Sequence, residues 1–305
     1  MKTKIAILSF VLVALFSCQK EPTDNIVITK PLSEDSTYLS QYIVIDTTIS
    51  TRDTLSKMEF YYDAAKRNIG IDYIDYDNTG LPTTLYKSKF YYTGTDTFPS
   101  KKRIDSYVLL NSTNNPSSNL KQTTFFTYKE GQLFSDSTIV DGSTSPGASM
   151  VISEVKKYTY YNDSVVTSYF SYNVDPRSNA KASYTTYWKK INGNITQQRD
   201  SSNLVKQDFS FFYDTHPNPF YRTLSKFALY NDYPTYVMET YAEAIFATNN
   251  ALDINQTYND PQINNYNFHF KNTYQYKANG YPSAVWYNDQ NDPKSSFKGV
   301  YLYTN

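Results

Sequence analysis

The feature that most restricts this chain is a short aromatic segment that keeps returning. It reads Phe60-Tyr61-Tyr62-Asp63, Phe90-Tyr91-Tyr92, Phe125-Phe126-Thr127-Tyr128, Tyr158-Thr159-Tyr160-Tyr161 and Tyr184-Thr185-Thr186-Tyr187-Trp188. Phe209-Ser210-Phe211-Phe212-Tyr213-Asp214 and Thr273-Tyr274-Gln275-Tyr276 continue the series. Successive copies lie roughly 25 to 36 residues apart, with one wider gap before the last. Tyr, Phe and Thr favour a pleated, half-buried surface. A period near 30 accommodates two strands of ~5–6 residues with their two connections. Each copy therefore predicts one hairpin of an antiparallel meander.

Turn chemistry agrees. Asn192-Gly193 and Asn279-Gly280 are the pairs that type I′ hairpin turns require, because both central residues need positive φ. Thr79-Gly80 and Glu130-Gly131 are weaker forms of that signal. Near the C-terminus Phe268, Phe270, Tyr274 and Tyr276 share one strand face, and His269, Lys271, Thr273, Gln275 and Lys277 the other. Phe297, Tyr301 and Tyr303 are in phase in the last strand. A period of two with one wet face marks an antiparallel sheet, and a one-residue slip would put every ring into water. The expected fold is all-β: an antiparallel meander of aromatic hairpins forming a strongly curved sheet or barrel.

One stretch departs from this pattern. Val237, Tyr241, Ala244 and Ile245 fall at helical spacing, with Asp232 and Pro234 placed to start a helix and Asn249-Asn250 to end it. An inserted helix is expected over 235–248, packed on the sheet or plugging one end of a curled barrel.

The N-terminus carries an address. Lys2 and Lys4 precede an apolar run from Ile5 to Phe16, broken only by Ser9, and the run ends in Leu15-Phe16-Ser17-Cys18. That run suits a signal-peptide core and falls short of the ~20 residues of a membrane-spanning helix. Its end resembles the lipobox of bacterial lipoproteins, which implies cleavage after residue 17 and a diacylglyceryl group on the Cys18 thiol. Residues 18–36 are then a flexible tether, with Gln19-Lys20-Glu21-Pro22-Thr23-Asp24-Asn25 polar and aperiodic, and 37–305 form a single β-meander domain. Two or more acyl chains give stable attachment. The expected location is the outer membrane, on the cell surface or the periplasmic face.

Cys18 is the one cysteine, so once acylated it leaves no thiol for a disulfide, a zinc site or catalysis. Basic and acidic residues balance at 29 each and no basic run exceeds Lys101-Lys102-Arg103, so nucleic-acid binding has no electrostatic footprint.

A family resemblance rests on three segments. Tyr62-Asp63-Ala64-Ala65-Lys66-Arg67 resembles the YD-repeat motif Tyr-Asp-x-x-Gly-Arg, with Lys66 in place of glycine. Tyr276-Lys277-Ala278-Asn279-Gly280-Tyr281-Pro282 resembles a second copy that keeps the glycine and replaces the aspartate. Asp214-Thr215-His216-Pro217-Asn218-Pro219-Phe220 is similar to the Asn-Pro-Phe segment of Bacteroidetes lipoproteins built from such strands. The resemblance implies a porin-like β-meander domain of unknown function and transfers no active site.

Chemistry-bearing residues are sparse. His216, in a Pro-Asn-Pro turn, and His269, on a polar strand face, have no partner at metal-ligand spacing, and Gly-x-Ser-x-Gly and phosphate-binding glycine loops are absent. Asp75-Tyr76-Asp77-Asn78-Thr79-Gly80 resembles the start of a calcium loop, but Tyr86 stands where a bidentate glutamate is needed. Neither a catalytic residue nor a cofactor is assigned. What remains is tyrosine itself. Where aromatics run consecutively, both strand faces carry rings. Either ring of each pair can face in; with Tyr62, Tyr92 and Tyr160 in the core, Tyr61, Tyr91 and Tyr161 are the candidate ligand-binding rings. The expected function is a non-catalytic envelope lipoprotein, held to the membrane through Cys18, with a structural role or a glycan or protein partner. The alternative is an envelope glycan hydrolase.

Overall fold

A computed structural model describes residues 37–47, 54–77, 79–108, 117–145, 148–162, 164–173, 181–201, 206–224, 247–260, 263–292 and 296–304. The signal peptide, Cys18 and the tether lie outside the described residues.

Among the described residues sixteen strands follow one another: β1 (Tyr38–Asp46), β2 (Thr54–Tyr62), β3 (Asn68–Tyr76), β4 (Pro82–Tyr91), β5 (Lys101–Val108), β6 (Ser117–Lys129), β7 (Gln132–Ser145) and β8 (Ala148–Tyr160). Then come β9 (Ser164–Asn173), β10 (Lys181–Ile191), β11 (Asn194–Ser201), β12 (Lys206–Pro217), a one-turn helix α1 (Pro219–Leu224), β13 (Asn249–Asp260), β14 (Ile263–Tyr276), β15 (Pro282–Asp289) and β16 (Phe297–Thr304). Each strand pairs antiparallel with its sequence neighbour, and β1 pairs with β16 from Tyr38↔Thr304 to Asp46↔Phe297, which closes a barrel. The seven aromatic copies fall on β2, β4, β6, β8, β10, β12 and β14, so the repeat is a hairpin and every copy runs toward the same end of the barrel. We call this the repeat end. β1 begins there, with Tyr38 against Tyr62 at 5.5 Å between ring centroids.

Alternation decides which rings enter the barrel. A single buried cluster draws Tyr42, Phe60, Tyr73, Phe90, Leu133, Tyr158, Trp188, Phe209, Ile254, Phe270, Tyr287 and Tyr301 from strands all round the barrel, so the buried face is the inside. Phe220 of α1 joins it against Tyr42, Phe60 and Tyr301 at centroid distances of 5.1, 6.1 and 5.9 Å. The Asn218 side chain caps α1 through the Phe220 amide (3.0 Å), with Pro219 at the first helical position. Among the described residues, the segment that enters the barrel end is Asn-Pro-Phe. Of the helix expected over 235–248, residues 235–246 lie outside the described residues, and Ala247 and Thr248 form a bend leading into β13.

One tyrosine in five of the seven copies, and Tyr303 of β16, has a structural task that phenylalanine could not perform. Near its start, each of six odd-numbered strands carries one extra residue relative to its partner: Ser40, Ile69, Phe134, Thr196, Leu252 and Ser283. Such a bulge bends and twists the strand and turns a carbonyl out of the ladder. The residue before each bulge is Leu39, Asn68, Leu133, Ile195, Ala251 or Pro282. Its carbonyl accepts the hydroxyl of a tyrosine in or just after the next strand. Tyr62 donates to Leu39 (2.8 Å), Tyr92 to Asn68 (2.7 Å) and Tyr160 to Leu133 (2.9 Å). Tyr213 donates to Ile195 (2.6 Å), Tyr274 to Ala251 (3.1 Å) and Tyr303 to Pro282 (2.6 Å). Two odd-numbered strands lack the bulge: at β5, Tyr128 donates instead to the Pro99 carbonyl just before the strand (3.1 Å), and at β9 the tyrosine is missing too. β9 pairs with β8 and β10 without a register shift, and Lys190 takes the corresponding place on β10. Burial lowers the Lys190 ammonium below the ordinary lysine range.

The turns correct one expectation. Asn192 and Gly193 (φ 51° and 82°) and Glu130 and Gly131 (52° and 77°) form two-residue turns with both φ positive. Asn279-Gly280 and Thr79-Gly80 do not, since only the glycine is left-handed in each. In both, and at Asp63-Arg67, the first residue's amide reaches the carbonyl four residues on, and the fourth residue's amide returns to the first carbonyl. This is the three-residue loop, a type I turn followed by one left-handed residue. Lys66 (φ 61°) holds that left-handed position where the other two loops have glycine.

Candidate binding surface

Tyr61, Tyr91 and Tyr161 all face outward, at 42%, 39% and 60% exposure, while Tyr62, Tyr92 and Tyr160 pack against the core. Tyr61 is held in place. Its hydroxyl donates to Glu59 (3.0 Å) and faces Asp72 at 3.4 Å, and Lys57 and Lys87 lie 2.6 and 3.7 Å from those two carboxylates. Its ring leans over Gly70, where an added Cβ would meet it at 3.6 Å. Burial of the hydroxyl, then the Asp72 and Glu59 charges, push its titration far above that of a free tyrosine. Partial burial works against ionisation of Glu59, but the Lys57 ammonium outweighs it and holds the carboxyl below its usual range.

Tyr91 stacks under the Lys101 ammonium at 4.4 Å. Lys101 pairs with Tyr91 on one side and Phe125 on the other, so a ring, a cation and a second ring run side by side across β4, β5 and β6. Phe125 is 45% exposed and was not among the sequence candidates. The phase of its own strand, with Phe126 and Tyr128 inward, would have found it. Tyr61 and Tyr91 are two strands apart, about 10 Å at the usual strand spacing, and Tyr161 lies about 19 Å further round. The structure brings the first two rings into one patch and leaves Tyr161 apart.

The histidines are local. His269 sits 3.2 Å from both Asp253 oxygens on the outer wall. His216 stacks on Tyr276 at 4.0 Å. Beside it, Asp214 accepts from the Asn250 amide (3.1 Å) and side chain (3.2 Å), the His216 amide (2.9 Å) and the Tyr276 hydroxyl. Asn250 also donates to the His216 carbonyl (3.2 Å). The cluster clasps the base of the long β12–β13 connection. In the calcium-like segment, one Asp77 oxygen accepts the Thr79 amide and hydroxyl and the Leu81 amide, so it caps its own turn. Among the described residues no three His, Cys, Asp or Glu side chains are grouped to hold a metal ion.

Two surfaces were not legible in the sequence. Inside, β5 to β8 replace rings with buried polar groups: Lys102, Thr124, Asp136, Thr138 and Lys156. Asp136 is directly opposite Lys156 and accepts the Tyr158 hydroxyl at 2.5 Å, and the Thr124 and Thr138 hydroxyls bond at 2.9 Å. Outside, the middle of the wall is charged. Lys57, Glu59, Asp72, Lys87, Lys89, Arg103, Arg199, Asp208, Asp253, Lys271 and Lys298 all lie on the face opposite the core, none of them buried. A lipid-facing strand carries an apolar band there, and Arg or Lys at the bilayer midplane costs ~2–4 kcal/mol. No described helix is long and apolar enough to cross a membrane.

No family model and no curated protein matches the chain. Among solved structures it is similar to the crystal structure of a porin-like protein from Bacteroides vulgatus, at 12% identity and a TM-score of 0.51. The match covers 89% of this chain and 99% of that one. At this identity the likeness shows the fold, and it agrees with the all-β meander that the repeat predicts and with the porin-like domain that the resemblance implies.

Proposed function

We propose that the protein is a non-catalytic lipoprotein of the outer membrane, of the kind built from YD-repeat-like aromatic hairpins. Its barrel stands in water on a tether acylated at Cys18 and binds an envelope glycan or protein through its outward rings. The observation that carries this reading is the pairing of a charged outer wall with rigidly held exposed rings. A wall bearing Lys57, Glu59, Asp72 and Lys87 at mid-strand suits water, and Tyr61 on that wall is braced by the same charges. A braced ring offers rigid area at low entropy cost, which is what a binding hot spot requires.

The test is a glycan array probed with the purified protein. Tyr61→Ala and Tyr91→Ala are expected to weaken capture by ~1–3 kcal/mol each while leaving the melting temperature close to that of the parent. Hydrolysis of an envelope glycan, abolished by one carboxylate change, would replace this reading with an enzyme.

A further inference from the structure

We infer that the outer patch of Tyr61, Tyr91 and Phe125 takes an acidic polysaccharide, with sugar faces on the rings and uronate carboxylates on Lys89, Lys101 and Arg103. This inference rests on the reading of the outward rings as a binding surface and names the chemical class of what they bind.

Register puts these side chains on one face. Gly70 is opposite Tyr61 on one side and Lys89 on the other, and Lys89 is opposite Arg103. One residue pair nearer the repeat end, Tyr91 is opposite Lys101, and Lys101 is opposite Phe125. The three rings therefore follow one another at two-strand intervals, about 10 Å at the usual strand spacing. Each is exposed, at 42%, 39% and 45%. Gly70 keeps the floor low between Tyr61 and Lys89. A Cβ there would meet the Ser88 carbonyl oxygen at 3.0 Å and the Tyr61 ring at 3.6 Å.

The charges around the rings are sorted. Lys57 lies 2.6 Å from Glu59 and Lys87 3.7 Å from Asp72, and Asp105 takes the position opposite Lys87. Those carboxylates sit further from the repeat end than Lys89 and Arg103. Lys89 and Arg103 are both exposed and stand directly across from each other, and like charges in that position cost stability. A carboxylate seated between them removes the cost, the guanidinium gripping it as a fork and the ammonium as a point charge. Lys101 holds a third cation 4.4 Å over the Tyr91 ring.

The alternation selects the ligand. A small anion would use the cations and leave the rings idle, and a neutral glycan would use the rings and leave Lys89 and Arg103 repelling each other. A chain of uronate sugars laid across the strands offers flat C–H faces and carboxylates by turns, which is the order of ring and cation across β2 to β6.

The experiment measures capture of alginate, polygalacturonate and hyaluronate by the purified full protein in detergent. Each polymer is paired with its carboxyl-reduced, neutral form, and poly-glutamate is the control for charge alone. At least one uronate polymer should bind about tenfold or more tighter than its reduced form, and the advantage should shrink as salt is raised. Lys89→Thr with Arg103→Thr should abolish that advantage at a melting temperature equal to or above the parent's, and Lys89→Gln alone should remove part of it. Tyr91→Ala and Phe125→Ala should each weaken uronate capture about tenfold and leave poly-glutamate unchanged. Equal capture of acidic and reduced polymers, an advantage that survives loss of Lys89 and Arg103, or poly-glutamate bound as tightly as the best uronate would overturn the inference. Capture of the reduced polymers alone would overturn it and leave the rings as a glycan surface, whereas capture of no polymer by the folded protein would remove that surface as well.

Discussion

Removing the hydroxyl of Tyr303 tests the logic of the repeat at its most enclosed position. Tyr303 is 2% exposed and donates to the Pro282 carbonyl at 2.6 Å, beside the bulge at Ser283. In Tyr303→Phe the ring keeps its edge contact with Tyr281 (6.1 Å) and its place in the core. What is lost is the partner of a carbonyl that water does not reach, and leaving a buried acceptor unpaired costs about 1–3 kcal/mol. In a chain of this size 1 kcal/mol moves the melting point by about 2–4 °C, so a fall of roughly 3–10 °C is expected. Urea unfolding followed by circular dichroism gives the free energy, and Tyr61→Phe, whose hydroxyl lies on the outer wall, is the control at within about 0.5 kcal/mol. If Tyr303→Phe is as mild as Tyr61→Phe, the tyrosines beside the bulges are there for their rings, and the account of the bulges fails.

Lys66→Gly should stabilise the protein by about 1 kcal/mol in the same assay, because a left-handed lysine costs about 1–2 kcal/mol and its exposed contact with Tyr38 returns only about 0.5. Gly299→Ala should destabilise by about 1–3 kcal/mol, since the new Cβ would stand 2.3 Å from the Tyr42 hydroxyl, which is bonded to Tyr287 at 3.0 Å. Burial opposes ionisation of Asp63, but its hydrogen bonds from Arg67 prevail and hold its folded-state pKa below the ordinary 3.8. Its contribution is therefore complete above the unfolded value and lost as pH falls through the folded one. Melting curves from pH 6 to pH 2.5 should show the gap between parent and Asp63→Asn closing below about pH 4.

The hairpins were legible in the sequence because their rings repeat at the period of a strand pair, and Phe268 to Tyr276 even show the alternation residue by residue. The bulges were not, because an extra residue such as Ile69 or Phe134 looks like any other strand residue until its partner's register is known. Asn279-Gly280 was misread for a related reason: the pair serves a two-residue turn and a three-residue loop equally well, and the pairing of Lys277 with Tyr281 decides between them. That Tyr61, Tyr91 and Tyr161 face outward and their neighbours inward is decided by the structure, because adjacent rings on a strand leave both assignments open in the sequence. The polar belt of Lys102, Asp136 and Lys156 gave no local signal, since a lysine on a strand ordinarily reads as solvent-facing. Nor did the Asn-Pro-Phe segment signal that Phe220 would enter the barrel.

The most direct measurement asks whether the tether is all that holds the barrel to its membrane. A specific protease site is inserted within residues 18–36, the protein is cut in isolated outer membranes, and the membranes are washed with alkaline carbonate. A barrel whose mid-wall carries Lys57, Glu59, Asp72 and Lys87 should appear in the supernatant, folded, while the acylated stub stays in the pellet. A barrel that remains in the pellet after complete cleavage would be embedded in the bilayer, and the water-facing wall would be refuted.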